Sequence, residues 1–572
     1  MLFLSLIILI VCKALLNDKL SEDFYQRILA IILLLSAMLT LNCLLPLLNL
    51  TGKTLWIDGI NYYIDFNSGI GIYGGLFHVS ILSQILEIFL FIVVFIIISS
   101  WPVRKEEIDE FITNNTARTN LALNMQVESS PVIYTILNNN KFISYPINYS
   151  IIVLFSTLGA LLLISCSDLI SMYLSIELQS FSLYVLSTLY KDSELSTSAG
   201  LKYFLLGGLS SCLILFGIGL VYAYTGLTNF ESIYSFISIY SLEINNNYVQ
   251  FIYPFLSKEF SQSIFLGFIF IFVGFLFKIS AAPFHNWSPD VYDDTPTIVT
   301  IWLTLIPKIS ILILLLELHV HIDITEVLNV NWQIPFILNI DTITKNLLLI
   351  SSLLSLIIGS VVGLAQNRIK RLLAYSTISH IGFILLALAI NTVQSIDSFI
   401  FYIIQYIITN LNIFLIIIAL GYIINKSEYI KDIRYISEFK GIFYNNPLIT
   451  LSFSICLFSM AGVPPLIGFF SKQYVLYSAI QNGYYFISFV CIFVSVISAS
   501  YYLKIIKTFF IDDIDSNNHN YSNSVGLNTS DILSNFHSFL ISSLTLLILF
   551  FIFNSSLILS NTHLLSLSLF YQ

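Results

Sequence analysis

The sequence predicts an all-α polytopic membrane protein, and three observations carry that reading: apolar runs along the whole chain, a scarcity of charge, and lysines set inside the runs beside prolines. Of 572 residues, 57% are hydrophobic and 10% charged, with a mean hydropathy of +0.87. A soluble globular domain carries about a quarter charged residues. The net charge of -9 says little by itself, because loop charges are divided between two sides of a membrane and their distribution is what orients the chain.

With about 20 apolar residues per crossing, fourteen spans are placed at residues 2–16, 27–49, 78–100, 148–166, 168–190, 198–224, 262–284, 297–320, 345–365, 371–392, 397–424, 447–479, 484–508 and 535–560. Met1 to Leu16 lacks a positive leading segment and a small-residue cleavage site, so it is read as a retained first span. Loops after odd-numbered spans hold Lys19, Arg104, Lys105, Arg118, Lys141, Lys191, Arg368, Lys370, Lys426, Lys431, Arg434 and Lys440, whereas the other side holds Lys53, Lys258 and Lys345. This asymmetry predicts an even number of spans, with both termini on the outer side of the energised membrane. The longer connections are read as surface segments: 101–146 and 512–534 on the basic side, 51–78 as a small outer hairpin, and 227–262 outside.

Two elements are out of place in a simple anchor. In Phe277 to Asp290 a lysine, Lys278, stands five residues before Pro283, and in Ala461 to Lys472 a second lysine follows Pro464 and Pro465. An ionisable side chain at bilayer depth costs about 2.5–3.5 kcal/mol even on lenient insertion scales. Proline frees a carbonyl that lipid cannot satisfy. Each element therefore predicts a broken helix lining a polar interior, in spans 7 and 12. Paired interrupted helices point to transporter repeats, and an odd separation of five spans makes the second copy inverted. The division that follows is an N-terminal three-helix segment (1–147), a first five-helix unit (148–320, spans 4–8), a second (321–510, spans 9–13), and a polar loop with the last span (511–572).

Glu177 lies in the middle of span 5, and its charge depends on whether a lysine stands beside it; Lys202 and Lys278 are both candidates. Lys308, after Pro307, sits between the two units and is placed to connect them, and Lys472 belongs to the second unit. His380 is either a hydrogen-bonded core histidine or a proton relay. His285 belongs to the broken element, and Glu87, inside span 3, is either a helix contact or a lateral charge. A static ion pair fixing helix packing is the bland reading of any single member of this group, but each further buried charge adds cost without added rigidity. His319 and His321 read as a headgroup-level pair, since no acid or thiol completes a metal site. Cys12, Cys43, Cys166, Cys212, Cys456 and Cys491 are scattered singly and read as small buried thiols. No dinucleotide fingerprint, phosphate loop, zinc spacing or nucleic-acid patch is found, so no cofactor or nucleic acid is expected on this chain.

The segments Gly200 to Gly208, Phe277 to Tyr292, Arg371 to Gly382 and Ala461 to Lys472 together resemble the antiporter-like membrane subunits of respiratory NADH-ubiquinone oxidoreductase, complex I. The resemblance spans roughly residues 148–510, and the three leading spans match the long, fourteen-span form. It implies a proton-translocating membrane-arm subunit of the mitochondrial inner membrane. Within it Glu177 and Lys202 to Lys278 form the first half-channel couple, Lys308 the bridge and Lys472 the terminal lysine. NADH, FMN, iron-sulfur clusters and ubiquinone are then used by partner subunits, and the contacts are other membrane-arm and accessory subunits, neighbouring antiporter-like chains and lipids. A subunit of an Mrp-type cation/proton antiporter is the alternative, and a structural spacer a third.

Overall fold

The computed structural model describes residues 1–16, 22–50, 55–57, 60–62, 69–100, 148–191, 193–244, 254–327, 340–424, 432–511 and 535–570. The expected surface segments 101–146 and 512–534 lie outside the described residues. A backbone in hydrocarbon must satisfy its own polar groups, and the apolar runs accordingly fold as helices. They are α1 (Leu2–Leu16), α2 (Glu22–Leu50), α3 (Ile81–Ser99), α4 (Tyr149–Ile164), α5 (Leu169–Ser187), α6 (Glu194–Thr225) and α7 (Phe230–Ile244). Then follow α8 (Pro254–Lys278), α9 (Trp287–Asp294), α10 (Thr297–Val327), α11 (Ile340–Leu364), α12 (Ile369–Ile390), α13 (Val393–Ile424) and the single-turn α14 (Ile442–Asn445). The chain closes with α15 (Pro447–Ala461), α16 (Ile467–Gln481), α17 (Tyr485–Phe509), α18 (Asn535–Leu549) and α19 (Ser555–Phe570). Between α2 and α3 lie two antiparallel ladders, β1 (Leu55–Ile57) with β2 (Ile60–Tyr62), and β3 (Ile70–Ile72) with β4 (Phe77–Val79).

Among the described residues nine helices are each long and apolar enough to cross a membrane, or ten if the bent pair α18 and α19 is one span. The centre is formed by α10, α12 and α13, buried almost all round, while α2 and α17 present most of their surface outward. Three expectations are corrected. The connection 227–262 is not merely a surface segment: it contains α7 and the first turns of α8. Phe230, Ile233 and Tyr234 are buried there at helical spacing. The last span is bent by 70° between α18 and α19, at Phe551–Asn554, where an unbroken apolar run gave no sign of it. Cys43 and Cys212 are exposed rather than buried, unlike Cys166, Cys456 and Cys491.

Two short bridges fix the ends of neighbouring helices. Asp168 pairs with Asn229, through Leu169 N–H to Thr228 O (2.9 Å) and Phe230 N–H to Ser167 O (3.0 Å). Arg368 pairs with Tyr435 in the same manner, through Ile369 N–H to Arg434 O (3.0 Å) and Ile436 N–H to Asn367 O (3.1 Å). Close helix approach follows the small-residue rule for membrane packing. A Cβ at Gly159 would stand 2.7 Å from Gln179 N, and one at Gly359 would stand 2.6 Å from Ser379 N. Both obstacles are backbone, so neither can swing aside.

Gly359→Leu is expected to force α11 off α12 and lower stability by about 2 kcal/mol or more, as overpacking does. Thermal unfolding of the variant in detergent, beside the milder control Gly363→Ala, whose added methyl meets only side chains, checks this.

Candidate functional site

The first break is built so that the interruption costs little. Helix α8 ends at Lys278, and the chain turns through Ser280 at φ +62 and the cis peptide Ala282–Pro283 before resuming as α9. The carbonyl of Phe277, released by the break, accepts from Trp287 Nε1 at 3.0 Å. Trp287 is itself stacked on Tyr203, with ring centroids 5.0 Å apart. Lys278 Nζ then meets Glu177 Oε1 of α5 at 3.5 Å, with only 8% and 14% of the two side chains exposed. Of the two candidate partners for Glu177, the structure selects Lys278.

Lys202 is placed differently. It is half-exposed on α6 and pairs with Asp290 of α9 at 3.3 Å, not with Glu177. Asp290 also receives Arg371 at 3.1 Å, and the buried Asp293 takes both Arg368 and Arg371. Lys202 does lie in a span helix, as placed from the sequence, but acidic residues on the short helix after the break draw it to a charged cluster rather than to Glu177.

From Lys278 a line of polar groups leads inward. Tyr292 lies beside Ser280 and under Lys308, whose Nζ is 5.6 Å from its ring. Lys308, 2% exposed, has its Nζ 3.3 Å from Tyr406 Oη on α13. The Tyr406 ring stands 6.1 Å from that of His380 on α12. His380 Nδ1 is 2.7 Å from Tyr402 Oη, and its Nε2 is 3.4 Å from Tyr502 Oη. His380 is therefore a hydrogen-bonded core histidine by geometry, on the line between Lys308 and Lys472, which leaves both of its readings standing.

The second break meets its lysine in another way. Helix α15 ends at Ala461, Gly462 takes φ +88, the Pro464–Pro465 peptide is cis, and α16 begins at Ile467. Lys472 Nζ donates to Met460 O and Ala461 O, both at 2.9 Å. These are terminal carbonyls of α15, the negative end of its dipole. The Phe383 face lies 5.7 Å away.

Other expected residues stand off this line. His285 is half-buried beside Tyr375 (6.4 Å), and Glu87 is partly exposed on α3. His319 is 1% exposed, edge-on to Phe272, so it is a core residue rather than a headgroup-level one; the side chain of His321 lies outside the described residues. Sequence reasoning passed over Tyr292, Tyr402, Tyr406 and Tyr502 because tyrosine is abundant everywhere in the chain. It also passed over Gln405, Thr409, Asn410 and Asn412, although four polar residues within two turns of an apolar helix were a legible signal. Thr409 and Asn412 reach Met460 Sδ and Cys456 Sγ of α15, and Ser471 of α16 donates to Gln405 Oε1.

Among the described residues no group of three or more metal-type ligands is found. Buried lysines met by a carboxylate, a phenol and helix-end carbonyls, along an interior between two broken helices, define the class of ion- or proton-conducting membrane proteins. Comparison with known proteins narrows it. The family model described as NADH:quinone oxidoreductase/Mrp antiporter, TM, matches residues 166–498. The NADH-ubiquinone oxidoreductase chain 2 of Rhizopus oryzae is 43% identical over 589 aligned residues, covering 100% of both chains. The chain belongs to this family of complex I antiporter-like membrane subunits, with chain 2 as its full-length relative. The same fold recurs in respiratory complex I from Thermus thermophilus (TM-score 0.63, 22% identity, 98% of this chain and 99% of that one). It recurs again in the Mrp complex of a Dietzia species (TM-score 0.66, 15% identity, 99% and 97%).

One charged group outside the spans ties the start of α10 to α12. Asp432 accepts from Thr297 N–H (3.0 Å) and Thr297 Oγ1 (2.9 Å) at the start of α10, and pairs with the buried Lys370 of α12 at 2.9 Å. Burial opposes its ionisation, but Lys370 and the two Thr297 donors outweigh it and hold the carboxyl below its ordinary value of 3.8. A carboxyl with a depressed folded-state pKa contributes stability fully above the unfolded value and loses it as the pH falls through the lower folded one. Asp432→Asn is accordingly expected to lower stability at pH 7 by about 3 kcal/mol, since Lys370 is left buried with the Thr295 carbonyl but without a counter-charge. The gap from the wild type should close below pH 3.8, and thermal unfolding across that range measures it.

Proposed function

We propose that this chain is a proton-translocating membrane-arm subunit of NADH:ubiquinone oxidoreductase in the mitochondrial inner membrane, moving protons through buried Glu and Lys residues while electron transfer proceeds elsewhere in the complex. The observation that carries the reading is the enclosed series Glu177–Lys278, Lys308–Tyr406, His380 and Lys472. The full-length resemblance to an oxidoreductase chain favours this over an Mrp-type antiporter subunit, with which the chain shares fold. NADH, FMN, iron-sulfur clusters and ubiquinone belong to partner subunits; the chain itself contacts other membrane-arm chains, accessory subunits and lipid.

The architecture we infer has fourteen spans, with two inverted five-helix units at 148–320 and 321–510. Its support is the recurrence of three features at matching places: the bridges at Asp168 and Arg368, the close glycines Gly159 and Gly359, and a lysine beside a proline-broken helix. Within the first unit, Glu177 holds Lys278 as a charge pair. Loosening that pair leaves an ammonium without its counter-charge, which an apolar interior penalises. The proton then has Ser280, Tyr292 and Lys308 as successive stations, and Tyr406 and His380 lead on to Lys472. Lys202, with Asp290 and Arg371, stands at the flank of this path and holds α9 in place after the break.

Lys278→Met is expected to lower NADH-driven proton translocation by about tenfold or more, a modest value for loss of a positioned proton-transfer group, without preventing assembly. Pumping by the purified complex in vesicles decides it. Full stoichiometry in that variant would remove Lys278 from the path, and a variant altered only in stability would favour a spacer role.

A further inference from the structure

Glu317 is an acid that the path above does not use. It lies within the apolar stretch Thr297–Val320 of α10, nine residues beyond Lys308, or about 13 Å along the axis. Nine residues also carry it to the opposite face, since each advances about 100°. Seven residues separate it from Ser310, which shares its face. Ser310 donates to Gln179 Oε1 of α5 at 3.1 Å, two residues from Glu177. Gln179 is 2% exposed and its Nε2 has no hydrogen-bond partner, a buried donor suited to hold water.

The surroundings of Glu317 come from three elements. Its charge acts on the Cys166 thiol, just past α4, and on the Tyr234 phenol of α7. Cys166 is bridged to Phe77, and Ser165 O accepts from His78 N–H, so the β3–β4 hairpin closes over this end of α4. The position is that of the chain's outer side by the loop-charge asymmetry. Among the described residues no cation stands within ion-pair distance of Glu317, and its side chain is partly accessible. An unpaired carboxyl in an apolar span is costly if charged and only marks packing if it accepts a fixed hydrogen bond. Among the described residues no such bond is made to it.

We propose that Glu317 is a proton-exchanging group at the outer mouth of the first unit, receiving protons from the Glu177–Lys278 couple through water held near Gln179 and Ser310. This rests on the proton-translocating reading and adds to it an outlet separate from the second unit. Each transfer is a proton passed from one oxygen or nitrogen to the next, with no redox partner required.

The test uses the whole purified complex carrying Glu317→Gln, Glu317→Asp or Lys278→Met, reconstituted in vesicles, with assembly scored by NADH oxidation with a soluble acceptor. Glutamine keeps size and hydrogen bonding but cannot carry the proton. The expected result is a loss of protons moved per NADH in Glu317→Gln and Lys278→Met, recovery in Glu317→Asp, and labelling of Glu317 in the wild type by a hydrophobic carbodiimide, which requires a protonated, reachable carboxyl. Wild-type stoichiometry in Glu317→Gln with loss in Lys278→Met overturns the outlet and leaves the underlying reading intact. Wild-type stoichiometry in both overturns the reading itself. Loss of assembly in Glu317→Gln with no labelling of the wild type assigns Glu317 to packing and likewise overturns the proposal.

Discussion

An ammonium group cannot stand alone in hydrocarbon, and much of this fold is arranged around meeting that demand. The three lysines of the row, Lys278, Lys308 and Lys472, are met in three ways. Lys278 has a carboxylate at 3.5 Å, Lys308 a phenol oxygen at 3.3 Å with two aromatic faces, and Lys472 two helix-end carbonyls at 2.9 Å. These partners differ in how much they favour the charged form. A carboxylate favours it strongly, helix-end carbonyls by partial charge, and a phenol least. A row of identical sites would have no preferred direction of occupancy, whereas a graded row responds to a change at one end.

The broken helices follow from the same demand. A continuous helix keeps its carbonyls for itself, so the interruption after Ala461 is what gives Lys472 acceptors. The interruption after Lys278 is sealed instead by the Trp287 indole on the Phe277 carbonyl, leaving Lys278 to depend on Glu177. The carboxylates of α9 then fasten the far side of the break to Lys202, Arg368 and Arg371. Asp432 fastens the start of α10 to α12. Charge outside the row therefore holds the geometry around it.

The sequence made the breaks legible because lysine and proline are both expensive in an apolar span, and their coincidence at Lys278 and Lys472 left little to chance. It made Lys308 and His380 legible for the same reason. It did not reveal which side chains meet them. Helices α10, α12 and α13 are buried nearly all round, so no contrast between a lipid face and an inner face marks which of their polar residues meets which partner. Tyr292 and Tyr406 could not be told from the many other tyrosines. The partner of Lys202 was not legible because that acid lies 88 residues further along the chain. Glu317 was overlooked beside the more conspicuous His319, though an acid in an apolar run is the same kind of signal as Glu177. The bend between α18 and α19 falls in uninterrupted apolar sequence, where only packing decides.

The central claim is that the enclosed groups form one conducting row, joined at its middle by the contact between Lys308 and Tyr406. The most direct test is the number of protons moved per NADH by the reconstituted complex carrying Tyr406→Phe, which removes one hydroxyl and keeps the ring. The account predicts an assembled complex with that number reduced. An assembled complex with the wild-type number would contradict it.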